Sequence, residues 1–318
     1  MMKTAQVAGT MTGEEKRKRM LQADSDHLDQ CSTEEIRKIL KKEQRKLQLQ
    51  KFYRNKLAVL GFTILMIVVL GAIFAPLLTK YGPYDMEVVN RLKGPSVEHI
   101  FGTDTFGRDL LTRILYGARI SLVIGLATSV LALVVGMVCG LYASYYKPLD
   151  NVLMRICDGL SAVPASLLAI AFMAVLGASV KNVVISMAVV YTPSIARVAR
   201  GSALSVKEQT YIEAMRALGA GPSNIIWRHI APNVICPVIV QASYIFANAI
   251  ITEAALSFLG VGVPVPTPSW GNILYEGQSV IYKGWWMILF PAISTAFSVL
   301  GMNLFGDGLR DVLDPQTN

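Results

Sequence analysis

Chemistry in a protein needs reactive side chains at set spacings, and this sequence offers few. It contains no GxxxxGK[ST] loop to cradle phosphates, no HExxH pair for a hydrolytic metal and no GxSxG nucleophile elbow. Cys31, Cys139, Cys157 and Cys236 lack CxxC spacing, and His27, His99 and His229 are equally dispersed, so neither a zinc site nor a disulfide framework follows. What remains are acidic and amide groups inside apolar runs, where a charge costs about 2.5–3.5 kcal/mol even on the lenient insertion scale. Asp158 lies one helical turn from Arg155, which predicts either an i,i+3 ion pair or a place in a polar pathway. Glu253, with Asn248 and Thr252 close by in NAIITEAALSFLGVG, predicts a group facing the bundle interior, either for structural hydrogen bonding or to line a cavity. Asp307 falls near the end of the last apolar run.

The second chemical pattern is a contact surface. In the polar insert EQTYIEAMRALGAGPSNIIWRHIAP, a 100° wheel puts Leu204, Tyr211, Ile212, Met215 and Leu218 on one arc and Gln209, Thr210, Glu213 and Arg216 opposite. This predicts a short amphipathic helix, stopped by Gly219, Gly221 and Pro222. Ser223 is positioned to cap a second turn over 224–230, after which Pro232 opens the next apolar run.

The elements that position these groups are membrane spans. Of 318 residues 53% are hydrophobic and 16% charged, with a mean hydropathy of +0.45, against roughly 25% charged in an average soluble chain. Apolar runs at 57–78, 120–145, 152–176, 180–198, 234–259 and 285–305 predict an all-α polytopic protein with six spans. Gly136 and Gly140 in GxxxG spacing let a neighbouring helix approach closely. Pro164, Pro193, Pro237 and Pro291 interrupt four different runs and predict kinks. Trp285 and Trp286 form an aromatic belt at the last run.

Between the spans, residues 1–56 form a basic arm with 14 Lys/Arg against 8 Asp/Glu, with a charged helix from residue 33. A basic flank before the first span puts that arm in the cytoplasm and argues against nucleic acid as its partner. Six crossings return the tail, 311–318, to the same side, with the insert at 201–232 also inside. Residues 79–118 form an outer segment with an interfacial helix over 109–119. Its Lys80, Arg91, Lys93, Arg108, Arg113 and Arg119 run against the positive-inside rule. A Pro/Gly/aromatic loop follows the fifth span, with Trp270 on its far side.

Glu213-Ala214-Met215, Gly219 and Pro232 reproduce the spacing of the EAA motif, E-A-A-x3-G with a proline thirteen residues beyond the glycine. With FGTDTFGRDLLTRILYGARISL, ARVARGSAL, EAALSFLGVGVPVPTPSWGNIL and GDGLRDVLDP, the sequence over roughly 52–315 resembles the second permease subunit of the bacterial dipeptide/oligopeptide/nickel ABC importers. Met215 replaces the motif's second alanine, and Ala231 stands where leucine commonly precedes the proline. The resemblance implies a type I importer permease fold with a core at 119–310 and a place in the bacterial cytoplasmic membrane. It implies a non-catalytic subunit without cofactor of its own, ATP and Mg²⁺ being held by two partner ATPases. A second permease and an external substrate-binding protein complete the assembly, with lipid around it. It assigns ATPase coupling to Tyr211, Glu213, Ala214, Met215, Arg216, Ala217, Gly219 and Pro232, and binding-protein contact to the loop around Trp270. Peptides are the expected cargo, with nickel chelates or glutathione as the same-family alternative. An ATP-independent channel or secondary transporter is the alternative from another class.

Overall fold

The computed structural model describes residues 50–313, and the charged helix expected from residue 33 and the tail expected at 311–318 lie mostly outside them. Residues 50–54 are helical. From Asn55 onward the chain is a helical bundle, and among the described residues no strand forms beyond one isolated bridge, Thr103 with Asp109.

Each helix begins where the sequence supplies a cap. Asn55 accepts from the Leu57 and Ala58 amides and starts α1, Lys56–Ile73, whose apolar run continues in one further turn, Ala75–Leu78. Asp109 caps α2, Leu110–Tyr145, through the Thr112 amide at 2.8 Å. At 36 residues α2 is about 54 Å long, so it crosses a hydrocarbon core and projects beyond it. The expected interfacial helix over 109–119 is the first part of this long helix, because nothing after the Asp109 cap breaks the ladder.

The third apolar run is not one straight span. It divides into α3, Lys147–Ser161, and α4, Ala165–Leu176, bent by 93°. Pro164 explains the break, since proline offers no amide to continue the ladder and pushes the preceding residue out of helical geometry. Twelve residues of α4 rise only about 18 Å, short of a hydrocarbon core. Among the described residues five helices are long and apolar enough to cross a membrane, and the bent pair makes a sixth crossing possible.

Ser179 caps α5, Val180–Lys207. After the short α6, Thr210–Ala217, comes α7, Pro222–Phe258, a single 37-residue helix with a π-helical stretch at Ile225–Ile230. The separate turn expected over 224–230 is thus continuous with the fifth span. It starts at Pro222 with Gly221 as cap rather than Ser223. Ser269 caps α8, Trp270–Gln278, and α9, Trp286–Leu313, closes the bundle. Pro193, Pro237 and Pro291 remain inside helices.

Contacts between helix ends set the two faces of the bundle. Asn55 Nδ2 donates to Asp311 at 2.7 Å, so the start of α1 and the end of α9 share a face. Lys207 Nζ donates to the Ser144 carbonyl at 2.8 Å, placing the end of α5 beside the end of α2. At the other face Arg119 caps the end of α1 through the Ala72 and Ile73 carbonyls at 2.5 and 2.8 Å. The chain therefore passes from one face at Lys147 to the other at Val180, and the bent α3–α4 pair carries it across. Packing is closest between α2 and α5, as the GxxxG spacing predicts: a Cβ on Gly140 would lie 2.6 Å from both the Ala196 carbonyl and the Ala199 Cβ.

Candidate functional site

Three polar constructions stand out from the apolar bundle: a helix held outside it, a seam between α5 and α7, and a buried knot at the opposite face.

The helix is α6. Only Ile212 is buried, packing into the cluster that holds Ile225, Ile226 and Ile230. Met215 is half-buried, whereas Tyr211, Glu213, Ala214, Arg216, Ala217 and Gly219 are exposed, as is Pro232 at the base of the following helix. The wheel expected Leu218 and Tyr211 to turn inward, but Leu218 is 86% and Tyr211 40% exposed. Eight residues anchored at one position leave most of the arc outside. Arg216 does not stand free on the polar arc. It lies over the Tyr145 ring at 5.4 Å, with Lys207 at 5.5 Å over the same ring. The Asn233 amide donates to the Tyr211 hydroxyl at 3.3 Å. Gly219 adopts φ +81°, the left-handed conformation expected of a helix stop.

The seam joins successive turns of α5 to α7. Tyr191 Oη lies 2.7 Å from Thr252 Oγ1 and donates to the Asn248 carbonyl at 3.4 Å. One turn on, Gln241 Nε2 donates to Ser194 Oγ at 2.8 Å. A further turn on, Arg197 reaches Ser161 at 2.9 Å and Asp158 at 3.6 Å. Asp158 thus pairs across helices with Arg197, rather than with Arg155 on its own helix, and α3 crosses α5 there. Nearby, Asp150 receives two bonds from Arg200, at 2.5 and 2.6 Å.

Glu253 belongs elsewhere. One residue along from Thr252, it points about 100° away and is fully buried. Its carboxylate accepts from Ser121 at 2.9 Å and Ser257 at 2.8 Å, and the Ser269 hydroxyl also reaches it. The expected grouping with Asn248 and Thr252 does not form, because Glu253 ties α7 to α2 and to the cap of α8.

Trp270 is part of the same knot. It is 1% exposed and its indole donates to the Ile114 carbonyl at 3.1 Å, so the side chain expected to meet a docking protein is core instead. Trp286 likewise donates to the Thr103 carbonyl at 3.0 Å under the 79–109 loop, which leaves Trp285 as the exposed member of the expected belt.

Sequence reasoning missed the ionic cluster beside this knot. Asp104 accepts from Arg108 Nε at 2.5 Å and Arg113 at 2.7 Å, and Glu276 of α8 accepts from Arg108 at 2.6 Å and from Arg113. Asp104, Arg108 and Arg113 are at most 2% exposed. His99 contacts Asp109 at 3.0 Å and stacks near Tyr81 with ring centroids 5.0 Å apart. Loss of hydration first, then the carboxylates of Glu98, Asp109 and Glu87, hold the Tyr81 phenol above its ordinary pKa. The GTDTFGRDLLTR pattern, acidic and basic residues four to nine apart around a helix cap, was the available signal. Among the described residues no group of three His, Cys, Asp or Glu is arranged to hold a metal.

The described residues form a multi-span helical bundle that carries a short helix outside one face. Residues 107–318 match the family described as binding-protein-dependent transport system inner membrane component, and residues 44–95 match the N-terminal TM domain of oligopeptide transport permease C. The chain belongs to this family of membrane permeases. It is 46% identical over 264 residues to the dipeptide transport system permease protein DppC of Alkalihalophilus pseudofirmus, covering 83% of this chain and 87% of that one. It is 40% identical over 267 residues to the oligopeptide transport system permease protein OppC of Bacillus subtilis, covering 84% and 88%. A chain of the MetNI methionine ABC transporter, solved in inward-facing conformations, shares the fold at a TM-score of 0.54, with 18% identity over 64% of this chain and 97% of that one.

Proposed function

We propose that this chain forms half of the translocation pathway of an ATP-driven importer of peptides, without catalysing a reaction itself. Two ATPase subunits bind ATP and Mg²⁺, a second permease completes the pathway, and an external binding protein delivers the cargo. Both termini and the 201–232 loop face the cytoplasm.

The observation that carries this reading is α6. It hangs from the bundle by Ile212 while presenting Tyr211, Glu213, Ala214, Ala217 and Leu218. An exposed leucine beside small residues on a rigid helix fits a groove in another protein. The absence of a phosphate loop from the sequence makes this helix a receiver of force rather than its source. Closure of paired ATPases would draw two such helices together and turn the attached α5 and α7. Of the cations at 79–119 that run against the expected orientation, Arg108 and Arg113 are paired with Asp104 and Glu276, and Arg119 is bound by the end of α1. Peptide cargo follows from the names of the relatives.

The test is ATP hydrolysis by the reconstituted complex. Leu218→Ser with Glu213→Lys should lower the stimulation by loaded binding protein about thirtyfold, with the binding protein's peptide affinity unchanged, since each of the two lost contacts is worth about 1 kcal/mol. Full stimulation in the double variant would overturn the assignment of α6.

A further inference from the structure

The pathway wall itself is readable from α7. Pro237, Gln241, Tyr244, Asn248, Thr252 and Ala255 recur every three or four residues and are all half-buried or exposed, whereas Val238, Ala242, Ile245, Ala249 and Glu253 beside them are buried. This outward stripe is polar at membrane depth. Its most demanding member is Asn248, exposed in the middle of a spanning helix, with a side-chain amide that has no partner among the described residues. Hydrocarbon cannot satisfy such a group, so the stripe must meet water, substrate or protein.

The groups along the seam are uniform in character. Asn248 and Gln241 carry amides, each both donor and acceptor, while Tyr191, Ser194 and Thr252 carry hydroxyls. Where a charge enters, at the inner end, Arg197 and Asp158 neutralise each other at 3.6 Å. The stripe touches one carboxylate, Asp307 of α9, which accepts from the Tyr244 hydroxyl at 2.5 Å, whereas the groups of α7 that face α5 offer hydrogen bonds and no net charge. Asn248 and Thr252 are separated by about 6 Å along the helix axis, close to the roughly 6.6 Å at which an extended peptide repeats its amides on one side.

We infer that the α5–α7 seam is the wall along which a peptide's main chain passes, with Asn248, Thr252, Tyr191, Gln241 and Ser194 exchanging neutral hydrogen bonds with its amides while leaving its side chains unread. The inference rests on the reading of this chain as a peptide-importer permease. Several modest, exchangeable bonds in a row suit passage, which needs contacts strong enough to admit the cargo and weak enough to release it.

The experiment introduces a charge at Asn248, where the α5-facing part of the seam has none. Asn248→Asp in the full importer complex, reconstituted in liposomes, is compared with the unaltered complex for uptake of Ala-Lys-Ala and Ala-Glu-Ala. Comparing the ratio of the two uptakes cancels the preference of the binding protein. A carboxylate on the wall should shift that ratio about fivefold toward the lysine peptide, the effect of one aqueous charge pair at contact distance. An unchanged ratio, with both peptides still imported, would place Asn248 against lipid or the second permease and overturn the inference while leaving the permease reading intact. If Asn248→Asp does not assemble, Gln241→Glu probes the same wall two turns away and is judged by the same ratio. Failure of the unaltered complex to import either peptide would remove the permease reading, and this inference with it.

Discussion

Ser121 of α2 donates to the Glu253 carboxylate of α7 at 2.9 Å, across 132 positions of sequence. The same serine lies 3.4 Å from the Trp270 amide, and Ser257, the other close donor to Glu253, accepts from the Val263 amide at 3.0 Å. One buried acid thereby fixes two spans, the loop that follows the second, and the helix after that loop. Every polar atom of this knot that would be costly in an apolar interior has a partner.

Removing the acid should loosen the end of the bundle where α2, α7 and α8 meet. Glu253→Ala leaves a cavity and takes the acceptor away from Ser121, Ser257 and Ser269, which together cost about 3 kcal/mol. Ser121→Ala removes one donor and should cost about 1 kcal/mol. Thermal unfolding in detergent measures both, and a Glu253→Ala protein as stable as the original would show that the carboxylate does not hold the knot.

How much of this was legible depends on the range of the contact. The Gly136–Gly140 spacing announced a close helix crossing, and Gly219 announced a stop, because both are properties of a few consecutive residues. Asp158 and Glu253 were visible as polar groups that needed partners. Their partners, Arg197 and Ser121, lie on other helices, and intrahelical spacing pointed to Arg155 and Asn248 instead. Leu218 misled for a related reason: a helical wheel gives the direction of a side chain, whereas its burial depends on whether the bundle reaches that far. Trp270 looked like a loop aromatic because the Pro-rich segment before it reads as surface, yet its indole finds the Ile114 carbonyl and the core. The unbroken α2 differs from the expected span because charge content marked a boundary that the backbone ladder does not follow, whereas the bend at Pro164 falls where proline spacing predicts a kink and exceeds it at 93°.

The ionic cluster around Asp104 should be among the most sensitive sites in the chain. Asp104 holds both Arg108 and Arg113 and also accepts from the Phe106 and Arg108 amides at 2.8 and 3.0 Å. Asp104→Ala leaves two buried guanidinium groups with Glu276 alone, a loss of about 3–5 kcal/mol. Glu276→Gln keeps Asp104 and its backbone bonds in place and should cost less. Thermal unfolding together with proteolysis of the 79–109 loop follows the effect, and an unaltered loop in the Asp104 variant would mean that the cluster does not hold it.

Gly219 separates the coupling role proposed for α6 from the stability of the bundle. Its amide donates to the Arg216 carbonyl at 2.9 Å and its φ is +81°, while a Cβ added there would meet nothing within 4 Å. Gly219→Ala therefore carries only the backbone cost of the left-handed conformation, about 1 kcal/mol. Asparagine tolerates that conformation better, so Gly219→Asn should couple at least as well as Gly219→Ala. Proline cannot adopt it and has no amide to donate, so Gly219→Pro must redirect the chain between α6 and α7. Because Gly219 is exposed outside the bundle, all three proteins should unfold within about 1–2 °C of one another if the turn unravels locally. Binding-protein-stimulated ATP hydrolysis should nevertheless be largely retained with alanine and asparagine and lost with proline. Equal stimulation in the alanine and proline variants would show that the orientation of α6 does not transmit force.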